Sequence, residues 1–203
     1  RNGMTISRDS KLGNSTKVTY FSMGKDTSIS QESYDRMTMY IGASGWGEFI
    51  IGEEPEIIKL QPDELLIVPA GTLCGMQTSN GIVYTEIICR GKDINMNANV
   101  KTNEVFALKN LISYEEGSIA NMDVVSTPDM KYVLMAFDEG TGLTPHRAPG
   151  NAIVFALEGK ATIGYEGKDY ELSEGECFRL EKNGLHSVTA NGKFKMALLL
   201  VLE

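Results

Sequence analysis

The feature that most limits the fold is a rhythm of short apolar runs with period two, and this rhythm occurs twice. Runs rich in β-branched and aromatic residues are separated by Gly, Asp and Asn, the pattern of many short strands. In the first half, strands are expected near 17–23, 36–41, 46–51, 56–60, 64–68, 75–78 and 82–89. In the second they are expected near 121–126, 131–137, 152–157, 161–165, 168–172, 176–180, 187–189 and 194–202. The halves align, with Lys17 over Lys131, Tyr40-Ile41 over Val154-Phe155 and Gly45 over Gly159. The stretch from Leu60 to Cys74 then falls over the stretch from Leu172 to His186, a small insertion in the Glu53-Glu54-Pro55 turn accounting for the change of offset. A duplicated all-β unit of this size predicts two tandem jelly-roll barrels.

The expected domains are a first barrel over 1–92, a linker with a short helix over 93–116, and a second barrel over 117–203. The stretch after Gly91 is rich in Asn and poor in large apolar residues, which is linker composition. The helix is expected to start at Asn103 as N-cap, with Val105, Phe106, Leu108 and Leu111 on one face. The segment 103–116 has no counterpart ahead of the first copy, and the chain opens Arg-Asn-Gly without Met. A native segment ahead of Arg1 is therefore expected to supply it.

Composition removes several classes of function. With 42% hydrophobic and 23% charged residues, the chain is globular rather than disordered or fibrous. Its 19 basic against 27 acidic residues give a net charge of −8, which argues against nucleic acid as a partner. The longest apolar run, 196–202, is strand-sized and far short of a membrane-spanning helix. Cys74, Cys89 and Cys177 are too widely and irregularly spaced for a disulfide framework or zinc knuckle, so reduced thiols and a cytoplasmic location are expected. A two-fold homodimer is the default assembly. No phosphate-binding loop, dinucleotide fingerprint, nucleophile elbow or HExxH motif occurs.

The only two histidines stand in two motif-like segments. One is His146-Arg147-Ala148-Pro149-Gly150-Asn151-Ala152, followed by Leu157-Glu158-Gly159; the other is Asn183-Gly184-Leu185-His186. This arrangement resembles the two motifs of the cupin superfamily, in which one strand carries His-x-His and then Glu ahead of a Gly turn, and a later strand carries a lone His. In the first copy, Ile67-Val68-Pro69-Ala70-Gly71-Thr72-Leu73-Cys74 is similar to the Ile-Pro-x-Gly-x-x-His end of the second motif. The resemblance covers nearly the whole chain and implies a bicupin.

Cupin enzymes usually hold a divalent metal inside the barrel on three His and one Glu, a set that binds firmly while leaving positions open for substrate. Carried over by position, His146 and His186 match two of the imidazoles, the second His of the motif falls on Ala148, and the Glu falls on Ala152. The resemblance thus implies at most a weakly held transition metal (Zn, Ni, Mn, Fe or Cu) on His146 and His186, with Asn151 as a poor oxygen ligand. In the first copy Glu32 or Gln31 lies opposite His146, Thr38 opposite Ala152 and Cys74 opposite His186, so that a Glu and a Cys thiolate are a weak zinc pair at best. Cys74 is expected to pack as a small apolar side chain.

Ala148 and Ala152, with Val154 and Ala156 on one strand face, either widen an apolar cavity or let two sheets pack closer. On the first alternative, a small-molecule pocket in the second barrel is lined by His146, His186, Asn151, Tyr132 and Arg179. Two functions follow. One is a small-molecule-binding bicupin whose first barrel is mainly structural. The other is a metal-dependent cupin enzyme of dioxygenase or isomerase type, acting on a small oxygenated metabolite. A purely structural or regulatory role is the weaker third.

Overall fold

The structure, a computed structural model, describes residues 3–10, 12–13, 16–89 and 93–202. Arg90, Gly91 and Lys92, at the end of the expected first barrel and just ahead of the expected linker, lie outside the described residues. The first half runs β1 (Thr5–Ser10), β2 (Lys17–Met23), β3 (Thr27–Ser33), β4 (Thr38–Gly45), β5 (Gly47–Ile51), β6 (Glu56–Leu60), β7 (Glu64–Val68), β8 (Leu73–Thr78) and β9 (Ile82–Ile88). Two short strands follow, β10 (Asn95–Met96) and β11 (Val105–Ala107). The second half runs β12 (Ile119–Thr127), β13 (Met130–Phe137), β14 (Gly142–Arg147), β15 (Asn151–Glu158), β16 (Lys160–Tyr165), β17 (Lys168–Ser173), β18 (Cys177–Leu180), β19 (Leu185–Ala190) and β20 (Phe194–Val201).

The chain divides into two compact units, one of Arg1–Arg90 with Ala98–Ala107, the other of Gly91–Asn97 with Leu108–Glu203. Each holds a six-stranded and a four-stranded sheet. In the first unit the orders are β1-β2-β9-β4-β7-β11 and β3-β8-β5-β6. In the second they are β10-β12-β13-β20-β15-β18 and β14-β19-β16-β17. Strand for strand, the two units repeat one antiparallel jelly-roll order, with β10 and β11 added at opposite edges.

Alternation along the strands builds each interior. In the first unit Tyr40, Leu66, Val68 and Tyr84 of the larger sheet pack with Phe49, Ile51, Leu60 and Met76 of the smaller. In the second, Ala152, Val154, Phe194 and Met196 pack with Ala161, Ile163, Leu172 and Val188. The same turns recur in both. Gly45 and Gly159 have φ of 68° and 76°, and a Cβ on either would stand 2.1 Å from a carbonyl oxygen, of Gly81 and of Lys193 respectively. Glu64 and Glu176 each accept the backbone N–H three residues earlier, from Gln61 and Ser173, at 2.8 Å.

The expected helix does not form. Asn103 is left-handed at φ 58° and donates its N–H to the Ile67 carbonyl, so it is not an N-cap. Val105–Ala107 instead adds an antiparallel strand to β7, pairing Val105 with Leu66, and only Leu108–Asn110 turns, as a short 3-10 segment. An edge strand with unpaired backbone groups captured a segment whose apolar pattern suits either conformation. The polar linker likewise contributes β10, which pairs Asn95 with Ser126 and Met96 with Val125. Strands β1, β3 and β14 were not anticipated, because they are polar, mostly exposed and lie at sheet edges. Among the described residues, no helix is long and apolar enough to cross a membrane.

Candidate functional site

Strands β14 and β19 bring the two histidines together as direct cross-strand partners, just after a bulge between Leu143 and His146. Their ring centroids are 4.3 Å apart. His146 Nδ1 lies 2.9 Å from the Thr144 carbonyl and His186 Nδ1 lies 2.9 Å from the Gly184 carbonyl. A carbonyl only accepts, so each Nδ1 is the donor, and in the neutral form of either ring Nε2 is the lone-pair nitrogen. His186 is buried, and burial first, then the neighbouring His146, lowers its pKa below the ordinary 6.5.

Such carbonyl-oriented imidazoles are what metal-ligating histidines need. The rest of a metal's ligand set is missing. Among the described residues no third His, Cys, Asp or Glu joins the pair, and the positions that would complete the set hold Ala148 and Ala152. The donor set does not fit a firmly held catalytic ion.

The other expected pocket residues are not gathered around the pair. Tyr132 is fully buried and alternates with Val133 and Met135, of which Met135 packs on the barrel core while Tyr132 does not. Arg179 is exposed and ion-paired with Glu181 at 2.9 Å, on the opposite face of β18 from Phe178 and Leu180. Asn151 accepts the Lys182 N–H at 2.8 Å through Oδ1, fixing the turn that leads to His186. The alanine face does not widen the interior. Ala152, Val154 and Ala156 belong to an apolar core completed by Phe178, Leu198 and Leu200, so closer packing is the outcome. A hollow of about 250 Å³ does lie beside His186, between Tyr165, Pro145 and the exposed residues Glu166, Lys168 and Asp169.

The better enclosed space lies in the first unit. A cavity of about 190 Å³ is walled by five aromatic rings, of Phe21, Tyr34, Tyr40, Phe49 and Tyr84. Phe21 and Tyr84 stack at 4.9 Å, Tyr40 and Phe49 tilt at 4.7 Å, and Phe49 meets Tyr84 edge-on at 6.0 Å. The polar groups in the wall include two carboxylates, Glu32 and Glu86, and the Cys74 thiol.

Glu86 is only 5% exposed, and burial pushes its carboxyl up to about 7. Lys17 and the donated Tyr34 hydroxyl pull the other way, while Asp9 and Glu32 add to the rise. Tyr34 is raised to about 12, by burial and then by Glu86. Burial also raises the Cys74 thiol to about 11 against a hydrogen bond from Tyr40, which keeps it neutral and a poor metal ligand.

The second unit shows what this scaffold holds without a cavity of that kind. Tyr40 pairs with Glu86 where Val154 pairs with Leu198, and Phe21 pairs with Tyr84 where Met135 pairs with Met196. Phe49 pairs with Met76 where Ile163 pairs with Val188. Aromatic and acidic residues in one interior thus stand in for aliphatic ones in the other. The signal that could have pointed to Glu86 is a charge in phase with Ile82 and Tyr84 on the inward face of an otherwise apolar strand.

Comparison with known proteins agrees with the fold. Residues 133–202 match the family model described as Cupin domain. The chain is similar to a cupin 2 conserved barrel domain protein from Leptotrichia buccalis, at 26% identity and a TM-score of 0.87, over 99% of this chain and 90% of that one. It is similar in fold to a salicylate 1,2-dioxygenase from Pseudaminobacter salicylatoxidans, at 11% identity and a TM-score of 0.68, over 92% and 71% of the two chains. A cupin superfamily protein from Desulfitobacterium hafniense aligns with 54% of this chain and 99% of its own, at 18% identity and a TM-score of 0.51. No curated protein sequence matches the chain.

Proposed function

We propose that this protein, whose residues 133–202 match the cupin-domain model, is a bicupin of the cupin superfamily that binds a small organic molecule in the cavity of its first unit. The observation that carries the reading is that cavity: aromatic walls with a few placed polar groups, in a scaffold whose other copy fills the same positions with aliphatic side chains. The strand orders of the two units support the tandem arrangement. A cytoplasmic location and a two-fold dimer remain part of the proposal.

A second reading, favoured by the carbonyl-oriented imidazoles, is a metal-dependent enzyme of dioxygenase or isomerase type with a divalent ion on His146 and His186. The likeness to a salicylate dioxygenase supports only the fold, so it adds nothing to this alternative.

The test is an NMR titration of the full chain, first with a panel of small aromatic and aliphatic compounds and then with Zn, Ni and Mn. Binding that shifts the ring signals of Phe21, Phe49 and Tyr84, and that is lost in the cavity-filling variant Cys74→Phe, is the expected result. Shifts confined to His146, His186 and Tyr165, matched by near-stoichiometric metal on elemental analysis, would move the function to the second unit.

A further inference from the structure

We infer that the ligand of the first unit's cavity is a small organic cation, a protonated or methylated amine; this rests on the reading of that cavity as the ligand site. The chemistry of the wall selects the charge. Ring faces carry negative electrostatic potential and attract ammonium groups, most strongly when both are shielded from water. The wall combines five such rings with the carboxylates of Glu32 and Glu86, and no Lys, Arg or His stands among them. An anionic ligand would meet two carboxylates and no counter-charge. A neutral apolar ligand would leave the buried Glu86 carboxylate with the Tyr34 hydroxyl as a hydrogen-bond partner but no counter-charge within the wall.

The other unit serves as an internal control. Where Tyr40 and Glu86 are paired across β4 and β9, the second unit pairs Val154 with Leu198 across β15 and β20, and the fold is retained. Folding therefore does not require the ring and the acid. They are costly to keep inside, since burial strongly disfavours the charged carboxylate, and a bound cation would offset that cost. Size limits the ligand too. A space of about 190 Å³ equals about six waters of roughly 30 Å³ each, enough for a trimethylammonium or similar head with a short tail. The net charge of −8 draws cations toward the protein as a whole.

The experiment compares choline with 3,3-dimethylbutan-1-ol, which has the same shape without the charge, and with benzoate. Each is titrated into the full chain by calorimetry and by NMR on the Phe21, Phe49 and Tyr84 rings. Choline is expected to bind about tenfold or more tightly than the alcohol at pH 8. Its affinity should fall by about tenfold at pH 6, as Glu86 takes up a proton in the field of Lys17, Asp9, Glu32 and the Tyr34 hydroxyl. In Glu86→Gln that pH dependence should vanish and choline should weaken by about tenfold, while the alcohol changes less than about threefold.

If the alcohol or benzoate binds the same rings as tightly as choline, the cation inference is overturned and the ligand site stands. If no probe moves the rings at saturating concentration, the ligand site itself is overturned.

Discussion

At the scale of single residues, the group that decides most is Glu86. It sits between Thr19 and Tyr40 across the sheet and between the buried Thr85 and Ile87 along its strand, and its carboxyl is held at about 7 by burial. Its folded pKa stands above the ordinary 4.5, so between about 4.5 and 7 the folded state holds more protons than the unfolded one. Stability from this group therefore falls as pH rises through that window and levels off above it. Glu86→Gln should remove this slope and, at pH 8, stabilise the protein by on the order of 3 kcal/mol, an upper bound. Chemical denaturation of both proteins at pH 5 and pH 8 checks it. A wild-type midpoint that rises between those values relative to the variant would contradict the assignment. His186 behaves in the opposite sense: its lowered pKa keeps the ring neutral, which suits a lone-pair nitrogen held in place by the Gly184 carbonyl.

At the scale of elements, the turns after β4 and β15 hold the repeat in register. Gly45 and Gly159 close these turns at positive φ, where any Cβ would both strain the backbone and strike a carbonyl oxygen. Gly45→Ala and Gly159→Ala are each expected to destabilise by about 3 kcal/mol or more. Gly71 supplies the contrast, since it also has positive φ, at 77°, but its Cβ would meet nothing within 4 Å. Gly71→Ala should therefore lose only the backbone part, about 1–2 kcal/mol. Equal losses at all three sites, measured by urea midpoints at constant slope, would mean that the close approach contributes nothing. The elements hardest to read were those whose partners decide them. Val105–Ala107 is a strand because β7 offers an open edge, and β14 is a strand, despite Pro145, because it lies at the edge of its sheet.

At the scale of the whole molecule, the chain does not finish one unit before entering the other. After β9 it supplies β10 to the second unit, returns to the first as β11, and then completes the second. A cut between Ala107 and Leu108 should leave the C-terminal fragment without the strand that covers Val125 and Ser126. A cut between Asn97 and Ala98 should leave the N-terminal fragment with the edge of Leu65 and Leu66 bare. Both fragments are expected to unfold at lower urea concentration than the intact chain, or to aggregate through those edges. Separate halves as resistant as the whole would show that the exchanged strands are ornamental.

The local pattern by itself determined the architecture. Period-two alternation, the matched Gly turns and the repeated stretch ending in Cys74 and His186 were enough for an all-β chain built twice on one plan, because each reports which way neighbouring side chains point. That His146 and His186 come together was implied by the resemblance to the cupin motifs rather than by alternation, and the structure makes them direct cross-strand partners. Which interior is open was not legible. Ala152 and Ala156 read as space, but Phe178, Leu198 and Leu200 arrive from other strands and fill it. Tyr40, Phe49, Tyr84 and Glu86 read as unremarkable members of separate strands, and line one cavity only when β4, β5 and β9 bring them together, with Tyr34 added from the segment between β3 and β4. Cavities arise from the sum of volumes across non-adjacent strands, and a buried charge acquires its pKa from neighbours distant in the chain; only the tertiary structure decides either.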